Sequence, residues 1–343
     1  KEGLLMLTQK TRRAYVRILY KNKELTKDIT QFITKLDYTE RLDGETDDIS
    51  LSLIDRNENF VYEYFLPSRG DIIVPTLVFE HWYKEDEIHE IVLGEFEVDE
   101  FEIENSLGAQ IISIKAVPAL INSSLSGQKK TKVWENVKLQ TIAQDIASAQ
   151  SVELIYHAGE IFLARIDQKS KSDLQFLASL CRQNGLRLKV ADNKIIIEES
   201  KEQEKRRIIT QSDYCSFNVR VQSQDVYNGV HIKYYDALEE KDFEYRYAPK
   251  NAPKVGKTLE LNERVENLAQ AETVAKARLR EKNKKAVELT MKIYPNPFIR
   301  CGSVLEFSSV AFLGEKFIVS EMNYQLDGSQ LTQNLKLYLC LDY

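Results

Sequence analysis

From Arg12 to Val117 the chain alternates apolar and polar residues in short segments separated by turn residues, a pattern that predicts a β-rich domain. Residues 15–20 open it. Ile49, Leu51 and Leu53 fall on one strand face and Ser50 and Ser52 on the other, because side chains on a strand alternate sides. Phe96 and Val98, then Phe101 and Ile103, form a further apolar face whose phase slips by one residue across Asp99 and Glu100. One inserted residue in a β-bulge would cause that slip. Residues 111–117 close the segment.

The period then changes. After a polar loop over residues 122–132, Leu139, Ile142, Ala143, Ile146 and Ala147 recur at three- and four-residue spacing and line one helix face. Residues 152–156 read as a strand. Ser172 with Gln175 forms a capping box for a second helix, whose stripe is Leu174, Leu177, Ala178 and Cys181, and Gly185 ends it. Leu139, Ile142, Ile146, Leu174, Leu177 and Cys181 are the expected core between the two helices. Residues 186–190 and 195–197 flank Asp192-Asn193, which predicts a hairpin and completes a small α/β module.

Residues 198–207 are almost wholly charged and read as a linker. Beyond them Phe217, Val219 and Val221 alternate, as do Val230, Ile232 and Tyr234, and then Phe243, Tyr245 and Tyr247. A helix is predicted over 268–283 with Ala271, Val274, Ala275, Arg278 and Leu279 inward, followed by strands near 289–293, 304–307, 316–324 and 331–341. The fold class is α+β, mainly β.

Composition narrows the function. No run approaches the roughly 20 apolar residues of a membrane helix, and residues 1–10 lack a secretory apolar region, so a soluble, unsecreted chain with no membrane partner is expected. The net charge of −6 disfavours a phosphate backbone, and the basic runs at 128–132, 201–207 and 276–285 read as a loop, a linker and a solvated helix face. No sequence-specific nucleic-acid binding is expected. Cys181, Cys215, Cys301 and Cys340 are too scattered for a zinc site or a disulfide framework.

Catalytic chemistry finds no constellation. There is no phosphate-cradling glycine loop, and His81, His89, His157 and His231 lack metal-ligand spacing, although His81 and His89 could pair across a strand turn. Asp43, Glu45, Asp47 and Asp48 read as an acidic turn. Glu95, Glu97, Glu102 and Glu104 alternate with apolar residues as a solvated strand face does, whereas a catalytic acid needs burial to raise its pKa. The expectation is no catalytic residue, no metal and no cofactor.

Arg13-Ala14-Tyr15-Val16, Gly44-Glu45-Thr46-Asp47-Asp48 running on to Arg56, Gly70-Asp71, and Leu93-Gly94-Glu95-Phe96-Glu97-Val98-Asp99 together resemble the phage late control D family of baseplate hub proteins. Trp134-Glu135-Asn136-Val137-Lys138-Leu139 and Ser172-Asp173-Leu174-Gln175-Phe176-Leu177 with Gly185 are similar to the helices of that family's α/β module. Asn283, Pro297, Gly302, Phe317-Ile318-Val319 and Thr332 fall where it has its closing pattern, while Leu313-Gly314-Glu315-Lys316-Phe317 and Tyr324 depart from it.

The resemblance implies two tail-tube-like antiparallel β-barrel domains, 1–121 and 201–343, with the α/β module at 122–200 between them. It further implies a homotrimeric, pseudo-sixfold ring in the baseplate of a contractile phage tail or tailocin, assembled in the bacterial host cytoplasm. That ring would join a tail tube protein to a central spike protein, with baseplate wedge proteins and tape-measure protein as further partners. Type VI hubs of the family continue into a spike, and this chain ends at Tyr343, so a separate spike protein is expected. Glu95, Glu97, Glu102 and Glu104 are candidates for the lumen wall, where acidic groups would repel passing DNA. A tail-associated peptidoglycan hydrolase and a cell-wall-binding module remain as alternatives at this point.

Overall fold

The computed structural model describes residues 10–21, 26–42, 44–55, 67–106, 109–119, 125, 128–191, 194–199, 206–222, 224, 226–236, 241–250, 256–265, 267–308, 315–328 and 330–341. Some expected features lie outside those residues: Asp43, Arg56, 122–124 and 126–127 of the loop, the Asp192-Asn193 turn, 200–205 of the linker, and Leu313-Gly314.

The first segment runs β1 (Arg13–Lys21), β2 (Thr26–Asp28), β3 (Ile33–Arg41), β4 (Asp48–Asp55), β5 (Ile72–Glu80), β6 (Ile88–Val92), β7 (Phe96–Ser106) and β8 (Ala109–Pro118). The middle segment holds β9 (Lys130–Lys138), α1 (Leu139–Ala149), β10 (Glu153–His157), β11 (Phe162–Lys171), α2 (Asp173–Gln183), β12 (Leu186–Ala191) and β13 (Lys194–Glu199). The last segment begins with β14 (Arg206–Ile209), β15 (Tyr214–Val221), β16 (Tyr227–Asp236), β17 (Lys241–Tyr247) and β18 (Lys257–Leu261). It ends with α3 (Leu268–Asn283), β19 (Val287–Ile293), β20 (Val304–Phe307), β21 (Lys316–Asp327) and β22 (Gln330–Leu339).

The structure is mainly β, as the alternation predicts. Its two outer β-segments do not close into two barrels among the described residues. They join in one open 14-stranded sheet with the path β15-β19-β22-β21-β3-β4-β8-β7-β5-β1-β2, and antiparallel pairing of β3 with β21 makes the junction. The reason is visible in the registry, because residues opposite one another on paired strands share a face. Phe101, Ile114, Leu51, Leu36, Leu326 and Leu331 form one wholly apolar row across six strands. The apolar face packs into a single core that mixes Ile18, Leu51 and Phe79 of the first segment with Leu289, Phe317 and Leu337 of the last.

The β-bulge falls where the phase slip predicts it, with the β7–β8 register shifting between Val98 and Glu100. Beyond it Phe101 and Ile103 are more than a third exposed, so the apolar face continues past the covered core.

The middle segment is an α/β module with its own core, and the six expected core side chains are all buried in it. Ser172 Oγ accepts from Gln175 N at 3.2 Å, Ser172 N donates to Gln175 Oε1 at 3.4 Å, and Gly185 adopts φ +70 beyond the helix end. The sequence reading missed one ribbon. β9 takes in the end of the expected loop and the lead-in to the first helix, and it pairs antiparallel with β11. Its weak signal has a cause: Val133 and Phe162 are exposed, so little burial imposes a strict alternation.

The last segment also divides. β16, β17 and β18 make a separate three-stranded sheet packed on α3 through Val230, Ile232, Ala271, Val274 and Leu279. Arg278, expected inward on that helix, instead pairs with Glu263 at the edge of the cluster.

Candidate assembly surfaces

The opposite face of the long sheet is polar over the same width. Glu100, Lys115, Ser50, Asp37, Gln325 and Thr332 form one row across β7, β8, β4, β3, β21 and β22. Two residues along, Glu102, Ser113, Ser52, Lys35, Asp327 and Gln330 form a second. A third runs Asp48, Thr39, Asn323, Asn334, Lys292 and Ser216 out to β15.

These side chains bond to one another. Asn323 Nδ2 donates to Asp37 Oδ1 at 2.6 Å and to Thr39 Oγ1 at 3.0 Å, and Gln325 Nε2 donates to Asp37 Oδ2 at 2.9 Å. Asn334 Nδ2 donates to Asn323 Oδ1 at 3.3 Å. Towards β15 the face is concave and encloses about 490 Å³, lined by Thr39, Asn218, Thr290, Lys292, Asn323 and Asn334.

Glu97, Glu102 and Glu104 lie on this face along β7, and Glu95 stands just before the strand. Glu95 pairs with Lys21 at 2.8 Å, and neighbouring Glu100 pairs with Lys115 at 2.9 Å. The face is therefore of mixed charge, with amides dominating its far half. Sequence reasoning singled out only the acidic end. The amide end was legible as alternation within β21 and β22, where Asn323, Gln325, Thr332 and Asn334 fill the polar positions, but abundance of carboxylate drew attention elsewhere.

His81 and His89 serve separate contacts. His81 Nδ1 accepts from Asp86 N at 3.0 Å, while the His89 ring packs edge-on to Tyr83 and Phe298. His231 bridges Glu244 and Glu260 at 2.8 and 2.7 Å.

A second surface is internal. Glu40, at the end of β3, has a fully buried side chain that pairs with Lys189 of β12 and with Arg300 Nε at 2.6 Å. The three charges come one from each segment. Burial alone would raise the Glu40 pKa, but the Arg300 guanidinium and the Lys189 ammonium outweigh it and hold the carboxyl below its ordinary value. Asp47 lies nearby. Burial there outweighs a backbone hydrogen bond from Arg41 N at 2.8 Å and, with repulsion from Glu40, pushes its pKa up to about 6.

Gly44 completes the contact. At φ +75 it sits so close to α2 that a Cβ would lie 2.8 Å from Ala178 Cβ. The acidic turn between β3 and β4 is thus where the module docks on the sheet. Nothing in the sequence links Glu40 to Lys189 and Arg300, which lie 149 and 260 residues away.

No family model matches the chain. Among solved structures, the 43 kDa tail protein of a Shewanella oneidensis prophage superposes with a TM-score of 0.68, covering 94% of this chain and 98% of that one at 14% identity. The chain has the fold of phage tail proteins. An Escherichia coli component of the type VI secretion system shares that fold at a TM-score of 0.58 and 8% identity, over 91% of this chain and 74% of its own. A probable baseplate hub protein of Escherichia phage P2 is 22% identical over 233 residues, 65% of this chain. The match spans 57% of that relative's length. The likeness to phage baseplate hub and tail proteins is therefore one of sequence as well as fold.

Proposed function

We propose that this chain is the structural hub of a contractile phage tail or tailocin baseplate. Three copies close a pseudo-sixfold ring that joins the hexameric tail tube to a trimeric spike, with residues 1–121 and 201–343 as its two tube-like halves and 122–200 as an outer module. The observation that carries this reading is the two-faced sheet. One mainly polar face crosses both halves of the chain, and such a face suits the wall of a water-filled channel. Hydrogen-bonded amides hold their own partners and offer few free charges to passing tape-measure protein or DNA.

The exposed continuation of the apolar face at Phe101 and Ile103 and the open sheet edges are available for ring closure. Wedge proteins would dock outside, and assembly would take place in the host cytoplasm. The role is architectural, with no turnover of substrate. Reconstruction of the particle tip is the test: three copies with β3, β21 and β22 facing the channel support the reading, and six copies or an outward polar face refute it. Clearing of a cell-wall suspension by purified protein would favour a hydrolase instead, and retention on isolated walls a wall-binding module.

A further inference from the structure

A cleft of about 720 Å³ separates the module from the last segment, between the α2–β12 corner and α3, with the end of β22 as its floor. Five cationic side chains line it: Arg182 and Arg187 from the module, Lys276 and Arg280 from α3, and Lys284 just past its end. The basic run that reads as a solvated helix face therefore points partly into a cavity. Gly185, in its left-handed conformation, lets the two sides approach, since a Cβ there would already touch Ala277 Cβ and Arg280 Nη2 at 3.4 Å.

Most charges in the cleft are engaged. Lys276 pairs with Glu272 and Lys284 with Glu281, each at 2.7 Å, and Glu160 pairs with Lys138 at 2.6 Å. Glu199 accepts from Gly159 N at 3.3 Å. Arg187 differs. It is only 4% exposed, and among the described residues its guanidinium has no hydrogen-bond or ion-pair partner, not even Glu198 opposite it on β13. A largely desolvated cation without a counter-charge is unfavourable, and it is relieved when an anion arrives in the cleft. Arginine's planar fork suits a carboxylate approached in plane.

We propose that this cleft binds an acidic segment of a partner protein chain, with one carboxylate on Arg187, a second near Arg182, and apolar side chains resting on Leu186, Ala277 and Leu339. The apolar share of the lining selects a peptide over a bare anion, and the unneutralised arginine selects an acidic one. The proposal stands apart from the hub reading, because no part of it depends on a ring.

The test uses the full chain and a fluorescein-labelled peptide alternating Asp and Leu, followed by anisotropy. Binding should weaken with salt and fall about tenfold or more in Arg187→Met and in Arg182→Glu, the scale of a lost charge-assisted hydrogen bond. The peptide should raise the Tm of the wild type but not of Arg187→Met, which by itself should melt at or above the wild-type temperature. Should Arg187→Met fail to fold, Arg182→Glu, at a half-buried position, decides the matter alone. Absence of binding, equal binding by a Lys/Leu peptide, or unchanged affinity in the variants would overturn the proposal. So would displacement of the peptide by an equal concentration of inorganic phosphate, which would mark a phosphoanion site.

Discussion

In the middle module the elements that pack together are neighbours in the chain: α1, β10, α2 and the β12–β13 pair all lie within residues 139–199 and share one core. In the long sheet β3 must find β21, and Asn323 reaches Asp37 across 286 residues. Local contacts close cheaply in conformational entropy and form early, whereas distant strand pairing waits on loop closure. The module is thus expected to be a cooperative unit of its own, while neither half of the sheet can complete its apolar face without the other.

The chain holds two tryptophans, and each reports on one region. Trp82 packs edge-on against Phe79 at the sheet core, and Trp134 is buried in the module. Single-tryptophan variants therefore separate the two transitions.

The largest effects should come from matched truncations of fully buried side chains. Ile142→Ala and Leu36→Ala should each cost about 2–5 kcal/mol. Ile142→Ala should shift the Trp134 transition alone, measured by urea titration, while Leu36→Ala should shift Trp82 from both ends of the chain at once. If Ile142→Ala lowers both transitions equally, the module is not an independent unit.

Next in size is the pin between the regions. Glu40→Gln strands Lys189 and Arg300 beside a neutral amide and should cost about 3 kcal/mol. It should also pull the two tryptophan transitions apart. Transitions that stay superimposed would show that the apolar contacts around Gly44 suffice for docking.

Asp47 and Glu40 have opposite pH signatures. The Glu40 pKa is depressed, so its contribution is present above the ordinary carboxylate range and lost as pH falls through the folded value. The Asp47 pKa is raised, so its ionised form opposes folding at neutral pH, and that opposition fades as pH falls from about 6 towards about 4. Asp47→Asn keeps an acceptor for Arg41 N. It should stabilise the protein by about 1–2 kcal/mol at pH 7, discounted because the carboxylate is part-exposed, and should flatten stability between pH 4 and 6. A melting profile with the wild-type slope over that window would discard the assignment.

The smallest effect on folding should come from the polar face. Glu102→Lys with Glu104→Lys should change stability by less than about 0.5 kcal/mol, because both side chains are exposed. In an assembled phage the same pair, with Glu95→Lys and Glu97→Lys, should slow DNA ejection at low salt. Ejection kinetics that ignore salt would take those residues off the channel wall.

Local chemistry was legible in the sequence. The bulge after Val98, the Ser172–Gln175 box, Gly185 and the approximate span of α3 each depend on residues within a turn or two of one another, where side-chain period and capping decide the outcome. The two faces of each strand followed from the same alternation. The tertiary structure alone decided that the faces of distant strands join into one, that β15 stands at an edge where Phe217 and Val221 remain exposed, and that Glu40, Lys189 and Arg300 meet. It alone left Arg187 buried with no counter-charge among the described residues. Periodicity states which side of a strand is apolar but not what covers it, and the energy of a buried charge depends on partners that sequence distance does not encode.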